Sequence, residues 1–521
     1  MKWESLGHLV EDAAVKFGEK TLFIFENERM SFAEANRLAN KTANALLSLG
    51  IAKGDRVAVM LPNITTFPVV WFALAKLGAV LVPVNINYKE HDLTYTLTDS
   101  ESRFFIIYEK YLEQWEQVRE KAPSVEQMLV VTESGSKSDW MRKVEQASDA
   151  FEISNVQKED LLNIQYTSGT TGFPKGCMLT HKYWMRVAQD VTDYLKLTPD
   201  DRDMTVQPFY YMDPQWNTAM CLIGGSPLAV MTRFSPSRFW GQVIEHNVTV
   251  LYMLGSMPFF LLKIPEDPAL DRGHHMRVIL CSGIHPKFHT EFERRWNVPW
   301  RELFGMTESG ADLIVALDDV ESVGSGALGK PVSKEVRVVD ANGNDVPDGE
   351  MGEMILRGEP MMLGYWRKPE ATAETIRDGW LHTGDLVVRD AKGYYYWRAR
   401  IKDTIRRSNE NIASVEVEGV LAEHPAVKLA AVVPVPDELR GEEVKAYIIL
   451  KEGHTPQDTP PEDILEYARK QLAYFKIPRY IEYVDDLPRT PSERVEKHKL
   501  VKMKPDLRAG SYDAVEKVWR N

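Results

Sequence analysis

The chain has 521 residues, too many for one hydrophobic core, so two or three domains are expected. Its 44% hydrophobic and 27% charged residues exclude a disordered or fibrous protein. With 76 acidic against 63 basic residues the net charge is -13, which argues against a general binder of nucleic acid or anionic membrane.

The N-terminal stretch MKWESLGHLVEDAAVKFGEK sets acidic residues among its apolar ones and lacks the continuous apolar core of a signal peptide. Cys177, Cys221 and Cys281 are far apart and odd in number, which fits neither a disulfide framework nor a CxxC metal site, and the cytoplasm is the expected compartment. The window ITTFPVVWFALAKLGAVLVPV (64–84) is long enough to span a bilayer, but Pro68, Lys76, Gly78 and Pro83 interrupt it. Its spacing predicts a helix over 67–77 stopped by Gly78, then a buried strand over 79–85, and no membrane span. Around it, strands RVAVML, RFFIIYE and QMLVVT alternate with helical stretches from residue 90 and in YLEQWEQVREKA, the pattern of βαβ units and a parallel sheet.

The run LLNIQY leads into YTSGTTGFPKG (166–176), and Trp184, Val187, Ala188, Val191 and Leu195 follow at helical spacing, so the loop is predicted to join a strand to a helix. Such a loop can converge backbone N–H groups and hydroxyls on an anion, with Lys175 as a mobile positive charge; a flexible surface loop is the alternative. It is not the common nucleotide P-loop, because Pro174 precedes the lysine and Gly176 follows it. A second α/β block, with VTVLYML and MRVILCS, runs to residue 318, and Gly-rich short strands over 320–399 predict a small β subdomain. Beyond Arg400, strands KLAAVVPVP and VKAYIILKEG, helix PEDILEYARKQLA and the basic RVEKHKLVKMK predict a separate domain. The expected fold is α/β: residues 1–399 hold doubly wound α/β subdomains plus the small β subdomain, and residues 400–521 form a smaller, mobile α+β domain.

TSGTTGFPKG resembles the phosphate-loop signature of the adenylate-forming (AMP-binding) superfamily, which includes acyl-CoA synthetases, peptide-synthetase adenylation domains and luciferases. FGMTE (304–308) resembles that family's Y-G-x-T-E segment, GWLHTGD (379–385) its ribose-binding segment and RIKDTIRRSNENI (400–412) its hinge, all in the family's order. The resemblance implies an ATP-dependent acyl-CoA ligase: a carboxylic acid is activated as an acyl-adenylate with Mg2+ present, then passed to CoA, releasing AMP and pyrophosphate. It implies further that Thr167, Ser168, Gly169, Thr170, Thr171, Gly172 and Lys175 embrace the β and γ phosphates, and that Glu308 helps bind Mg2+ beside Thr307. By the same resemblance Gly283, Phe304 and Gly305 join the nucleotide site, Asp385 accepts the ribose hydroxyls, Arg400 donates to the same ribose, and Lys402 is the hinge. The chemistry needs cations, since one unscreened repulsion at 4 Å costs about 4 kcal/mol at an effective dielectric near 20, or roughly a thousandfold in rate.

Three positions, in two segments, depart from the family pattern. Where the family ends in P-R-T-x-S-G-K, this chain reads PRTPSER, with Glu493 in the glycine place and Arg494 in that of the lysine expected to bridge α-phosphate and acyl carboxylate. Arg keeps the charge but is planar and bulkier, and Lys497 and Lys499 are lower-ranked substitutes. Asn409 replaces the Gly of the hinge's G-E-N, a milder change because Asn tolerates left-handed geometry.

The acyl pocket implied by the resemblance involves Tyr211, Asp213, Trp216 and Gly310, and FYYMDPQ and FSPSRFWGQV resemble the carnitine and crotonobetaine CoA ligase branch. Tyr211, Trp216 and Asp213 suit a trimethylammonium group through cation–π and charge contacts, while a medium-chain or small aryl acid stays open. His285, before Pro286, reads as a packed or capping residue rather than a base. Expected partners are a small carboxylic acid, ATP and CoA, with no nucleic acid, and a homodimer is admitted. Two other readings remain: delivery of the acyl group to a carrier protein or amine, and a nucleotide- or acyl-binding relative with impaired adenylation. If Arg494 does the lysine's work, Arg494→Ala depresses pyrophosphate release far more than thioester formation from supplied acyl-adenylate; equal losses in the two assays refute that role.

Overall fold

A computed structural model describes the chain except residues 1, 27, 134–136, 168–173, 255–256, 408–409, 439, 473, 491–494 and 521, and the side chains of residues 402, 410 and 411. Backbone contacts divide it into two compact units. The first comprises residues 1–167, 175–336 and 356–381, and the second residues 168–174, 337–355 and 382–521.

The first unit is built on two sheets. One orders its six strands Gln127–Val131, Phe104–Tyr108, Arg56–Met60, Val80–Pro83, Leu161–Thr167 and Lys175–Thr180, and every pair is parallel except the last. The other runs in the order Trp300–Met306, Val278–Ser282, Val250–Leu254, Asp203–Thr205, Leu228–Val230 and Thr21–Phe25, again parallel. Antiparallel strands Gly310–Ile314 and Glu28–Ser31 flank its two sides. Parallel strands need helical crossovers, and those helices bury both faces. The expected α/β class is observed.

The apolar window is core. Its helix, Thr66–Leu77, is buried on nearly every side and ends at Gly78, whose φ of 70° is the left-handed geometry that stops a helix. Trp71 is fully buried, and its indole N–H meets Asn163 Oδ1 at 3.1 Å, so the polar end of the ring is satisfied inside the apolar layer. Among the described residues no helix is long and apolar enough to cross a membrane.

The glycine-rich loop sits differently from the expectation. Residues Lys175–Thr180 form a strand that pairs antiparallel with Leu161–Thr167, Thr167 opposite Lys175, and the helix His181–Leu195 begins only afterwards. The loop therefore joins two strands of a hairpin, not a strand to a helix, and no helix N-terminus follows it directly. Two features of KGCMLT explain this: Cys177 and Leu179 alternate into the core, and a Cβ on Gly176 would come within 2.5 Å of Ile164 Cγ2, so the strands approach closely there. The helix itself starts at Thr180, whose hydroxyl accepts the Tyr183 N–H at 3.1 Å.

The second unit contains the antiparallel pairing of Trp380–Arg389 with Tyr395–Arg400 and a seven-stranded sheet centred on Gly441–Leu450, flanked by helices Ser414–Ala422 and Pro461–Arg469. Its own core includes Ile405, Val432, Ala446, Ile448, Ile464 and Ile481.

A buried ion pair anchors the end of the first unit's larger sheet. Lys334 Nζ lies 3.0 Å from Asp312 Oδ1, both side chains are fully buried, and Ser309 Oγ donates to Asp312 Oδ2 at 2.7 Å. Lys334→Met leaves that carboxylate buried and unpaired. Urea denaturation is expected to show a loss of about 3–5 kcal/mol, with much of it restored in Lys334→Met/Asp312→Leu.

Candidate active site

The phosphate-loop flanks, the Thr-Glu turn and a third segment converge in the first unit. Strand Trp300–Met306 carries Phe304 and Gly305 and turns through Thr307, Glu308 and Ser309 into strand Gly310–Ile314. Glycine is required at 305, where a Cβ would lie 2.1 Å from the Gly310 carbonyl oxygen. It is required at 310 too: φ is +80° there, and a Cβ would meet Val187 Cγ2 at 2.5 Å. Tyr183, one turn into the helix after the hairpin, donates its hydroxyl to the Thr307 carbonyl at 2.8 Å and so holds the turn from below.

Residues 362–366 lace this turn to the hairpin. Met362 N–H donates to the Glu308 carbonyl at 2.8 Å, Leu363 N–H to Met178 at 2.9 Å, and Trp366 N–H to Gly176 at 2.8 Å. Within that lacing, the Tyr365 hydroxyl donates to Glu308 Oε1 at 2.8 Å, and Lys175 Nζ sits 4.4 Å above the centre of the Tyr365 ring. Thr167, Lys175, Thr307 and Glu308 are thereby brought into one neighbourhood. Burial, reinforced by the Glu308 charge, pushes the Tyr365 phenol far above its ordinary pKa and keeps it a donor.

In the second unit Asp385 and Arg400 are register partners, and Arg400 Nε lies 2.9 Å from Asp385 Oδ1. Trp397 Nε1 donates to the same oxygen at 2.9 Å. The segment before Asp385 is pinned on both sides, by Glu353, which meets His382 Nδ1 at 2.8 Å and Gly384 N–H at 3.1 Å, and by Thr383, which donates to the Met354 carbonyl at 2.7 Å. Gly384 has a φ of 70°, the turn geometry that aims Asp385.

Three of the residues expected around the acyl group, Tyr211, Asp213 and Trp216, stand at the start of one helix. Tyr211 caps the start of helix Met212–Gly224, and its hydroxyl accepts from Asn85 Nδ2 at 3.3 Å. Trp216, 4% exposed, points its indole N–H at Asp213 Oδ1, 3.4 Å away, and packs edge-on against Tyr252 with centroids 5.2 Å apart. Burial raises the Asp213 carboxyl to about 6, with the Trp216 bond pulling the other way. The C-S-G-I-H-P turn hangs on Glu302, which accepts the Gly283 and Ile284 N–H groups at 2.6 and 2.7 Å. Burial lifts Glu302 to about 7 against those two bonds. His285 caps helix Pro286–Trp296, its Nδ1 accepting the Lys287 N–H at 3.2 Å, as expected of a capping residue.

Sequence reasoning missed Tyr365, Tyr183 and Glu302. None has a spacing that marks it; each is found only because distant strands meet. Ser168, Gly169, Thr170, Thr171, Gly172, Asn409, Glu493 and Arg494 lie outside the described residues, as does the Lys402 side chain, whose residue falls in the short turn Ile401–Asp403. Of the two substitute lysines, Lys497 is held 2.7 Å from Glu418 Oε1 and donates to Ser414 Oγ, and Lys499 pairs with Glu496 at 2.5 Å.

Comparison with known proteins supplies the family. Residues 10–366 match the model of the AMP-binding enzyme family, and residues 416–494 that of the AMP-binding enzyme C-terminal domain. The crotonobetaine/carnitine–CoA ligase of Salmonella paratyphi A is 32% identical over 517 residues, covering 95% of this chain and 99% of that protein. Among solved structures, ATP-bound MatB from Rhodopseudomonas palustris superposes with a TM-score of 0.86 at 28% identity, covering 95% of this chain and 98% of that one. The anthranilate CoA ligase AuaEII, in complex with anthranoyl-AMP, gives 0.85 at 26% identity, covering 96% and 97%. Signature segments in order, an α/β scaffold and matches over nearly the full length make this chain a member of the AMP-binding enzyme family, among its AMP-forming acyl-CoA synthetases.

Proposed function

We propose that the chain joins a quaternary-ammonium carboxylic acid of the carnitine or crotonobetaine type to CoA. The acid's carboxylate oxygen bonds to the α-phosphorus of ATP and pyrophosphate leaves; the CoA thiol then adds to the acyl carbon, loses its proton, and AMP leaves. Lys175 and the hydroxyl of Thr167 hold the outgoing phosphates, Thr307 stands beside them, and Asp385 and Arg400 take the ribose. Arg494 is the cation that bridges the two reacting anions. Lys497 and Lys499 are less suited to that work, since each already has a carboxylate partner.

Glu308 suits Mg2+. Among the described residues no cluster of three or more His, Cys, Asp or Glu side chains could enclose a metal, and a single carboxylate sharing the ion with substrate phosphates is the ordinary way Mg2+ is bound. The ion, when bound, neutralises phosphate charge. The small domain of residues 400–521 turns about Lys402 between the two half-reactions, which shields the adenylate from water and then admits the thiol. The three cysteines are buried and unpaired, which supports a reducing cytoplasm.

The observation that carries the choice of acid is Asp213, a carboxyl met by the Trp216 indole N–H, with the Tyr252 ring packed edge-on against Trp216. A fixed cation is drawn to aromatic faces by about 0.5–2 kcal/mol each and to a carboxylate besides, whereas a fatty acid gains nothing from a charge placed there. Carnitine- or crotonobetaine-dependent AMP formation with CoA is expected to exceed that with octanoate or benzoate; equal or lower turnover with the betaines sinks the proposal. A pH series tests the charge itself. Asp213 is mostly ionised above about 6 and neutral below, so the preference for a betaine over octanoate, read as a ratio of kcat/KM values, falls about tenfold between pH 7.5 and 5. Asp213→Asn should give a low ratio that does not change with pH.

A further inference from the structure

Tyr365 touches both charged groups on the phosphate side of the site. Its hydroxyl donates to Glu308 Oε1 at 2.8 Å, and its ring lies 4.4 Å under Lys175 Nζ. The residue is mounted rigidly. Tyr365 N–H donates to Thr372 Oγ1 at 2.9 Å, its backbone bridges to Cys177 in the hairpin, and the residue is 6% exposed. On one side of it Gly364 has a φ of +136°, which a side chain could not share with Thr372, 2.6 Å from where its Cβ would stand. On the other, the Trp366 indole N–H donates to the Asp99 carbonyl at 3.0 Å. An aromatic ring fixed by backbone on both sides and bonded to two ionic groups of opposite sign is well made for setting their separation.

We infer that Tyr365 is a positioning residue for the nucleotide site: its hydroxyl orients the Glu308 carboxylate toward the metal of MgATP, and its ring holds the Lys175 ammonium for the phosphates. The inference rests on the reading of Glu308 as the metal-binding carboxylate. Hydrogen bonds behind a metal ligand fix its rotamer, and removing them typically weakens metal affinity 10–100-fold. The two halves of the side chain separate the two duties. Tyr365→Phe deletes the bond to Glu308 and keeps the ring, while Tyr365→Leu deletes both.

The test is calorimetric binding of MgATP, and of ATP in the presence of a chelator, to the full chain without acid or CoA. Tyr365→Phe is expected to raise the Kd for MgATP at least tenfold and to leave that for metal-free ATP unchanged. Tyr365→Leu is expected to weaken metal-free ATP as well, by about threefold. Glu308→Gln serves as the reference. If it too loses Mg2+ dependence, and adding Tyr365→Phe to it costs little more, the two residues act through one another. A Tyr365→Phe protein that binds MgATP normally, or that loses MgATP and metal-free ATP equally, overturns the inference. Unchanged Mg2+ dependence in Glu308→Gln instead overturns the assignment of the metal ligand. Because the Phe variant keeps the buried ring, its thermal midpoint reports whether it is folded.

Discussion

The seam between the hairpin strand Lys175–Thr180 and residues 362–366 is made of backbone hydrogen bonds, and the phosphate side of the site depends on it. Buried N–H and C=O groups must be paired, so the seam has few acceptable registers. A slip of one residue would turn Tyr365 to the opposite face and take its hydroxyl away from Glu308. Cys177 and Leu179 pack into the core on one face of it and Ile164 on the other, where Gly176 leaves room for Ile164, so apolar packing on both faces fixes where two ionic side chains meet.

Three carboxyl groups, Asp312 and Glu302 buried and Asp213 half-buried, show how differently the cost of leaving water is handled. Asp312 has a lysine, a serine and full enclosure, and it is structural. Glu302 has two backbone N–H donors and shapes the turn that carries Gly283. Asp213 has a long bond from one indole and its own helix start, and among the described residues none of its hydrogen bonds comes from a charged partner. A group left so is the one best placed to respond to an incoming cation.

Much of this was legible in the sequence, for reasons that differ by element. The Thr66–Leu77 helix announced its end through Gly78, and the parallel strands through alternation with helical stretches, because both signals are local. The segments holding Glu308, Asp385 and Lys175 were legible through their resemblance to a family. The hairpin was not. A six-residue strand with half its side chains small or polar carries a weak period-two pattern, and the strong helical pattern after His181 masked it. Tyr365 was illegible for another reason: its partners are 57 and 190 residues away along the chain, and only the fold brings them together.

The burial of all three thiols also governs their reactivity. Burial pushes Cys177, Cys221 and Cys281 well above the usual thiol range, so at neutral pH none offers a thiolate to a passing electrophile. A cysteine newly placed on an exposed position of either unit would therefore be the preferred target of a maleimide dye in the otherwise native protein. The chain comes ready for site-specific labelling, with no native cysteine to remove first.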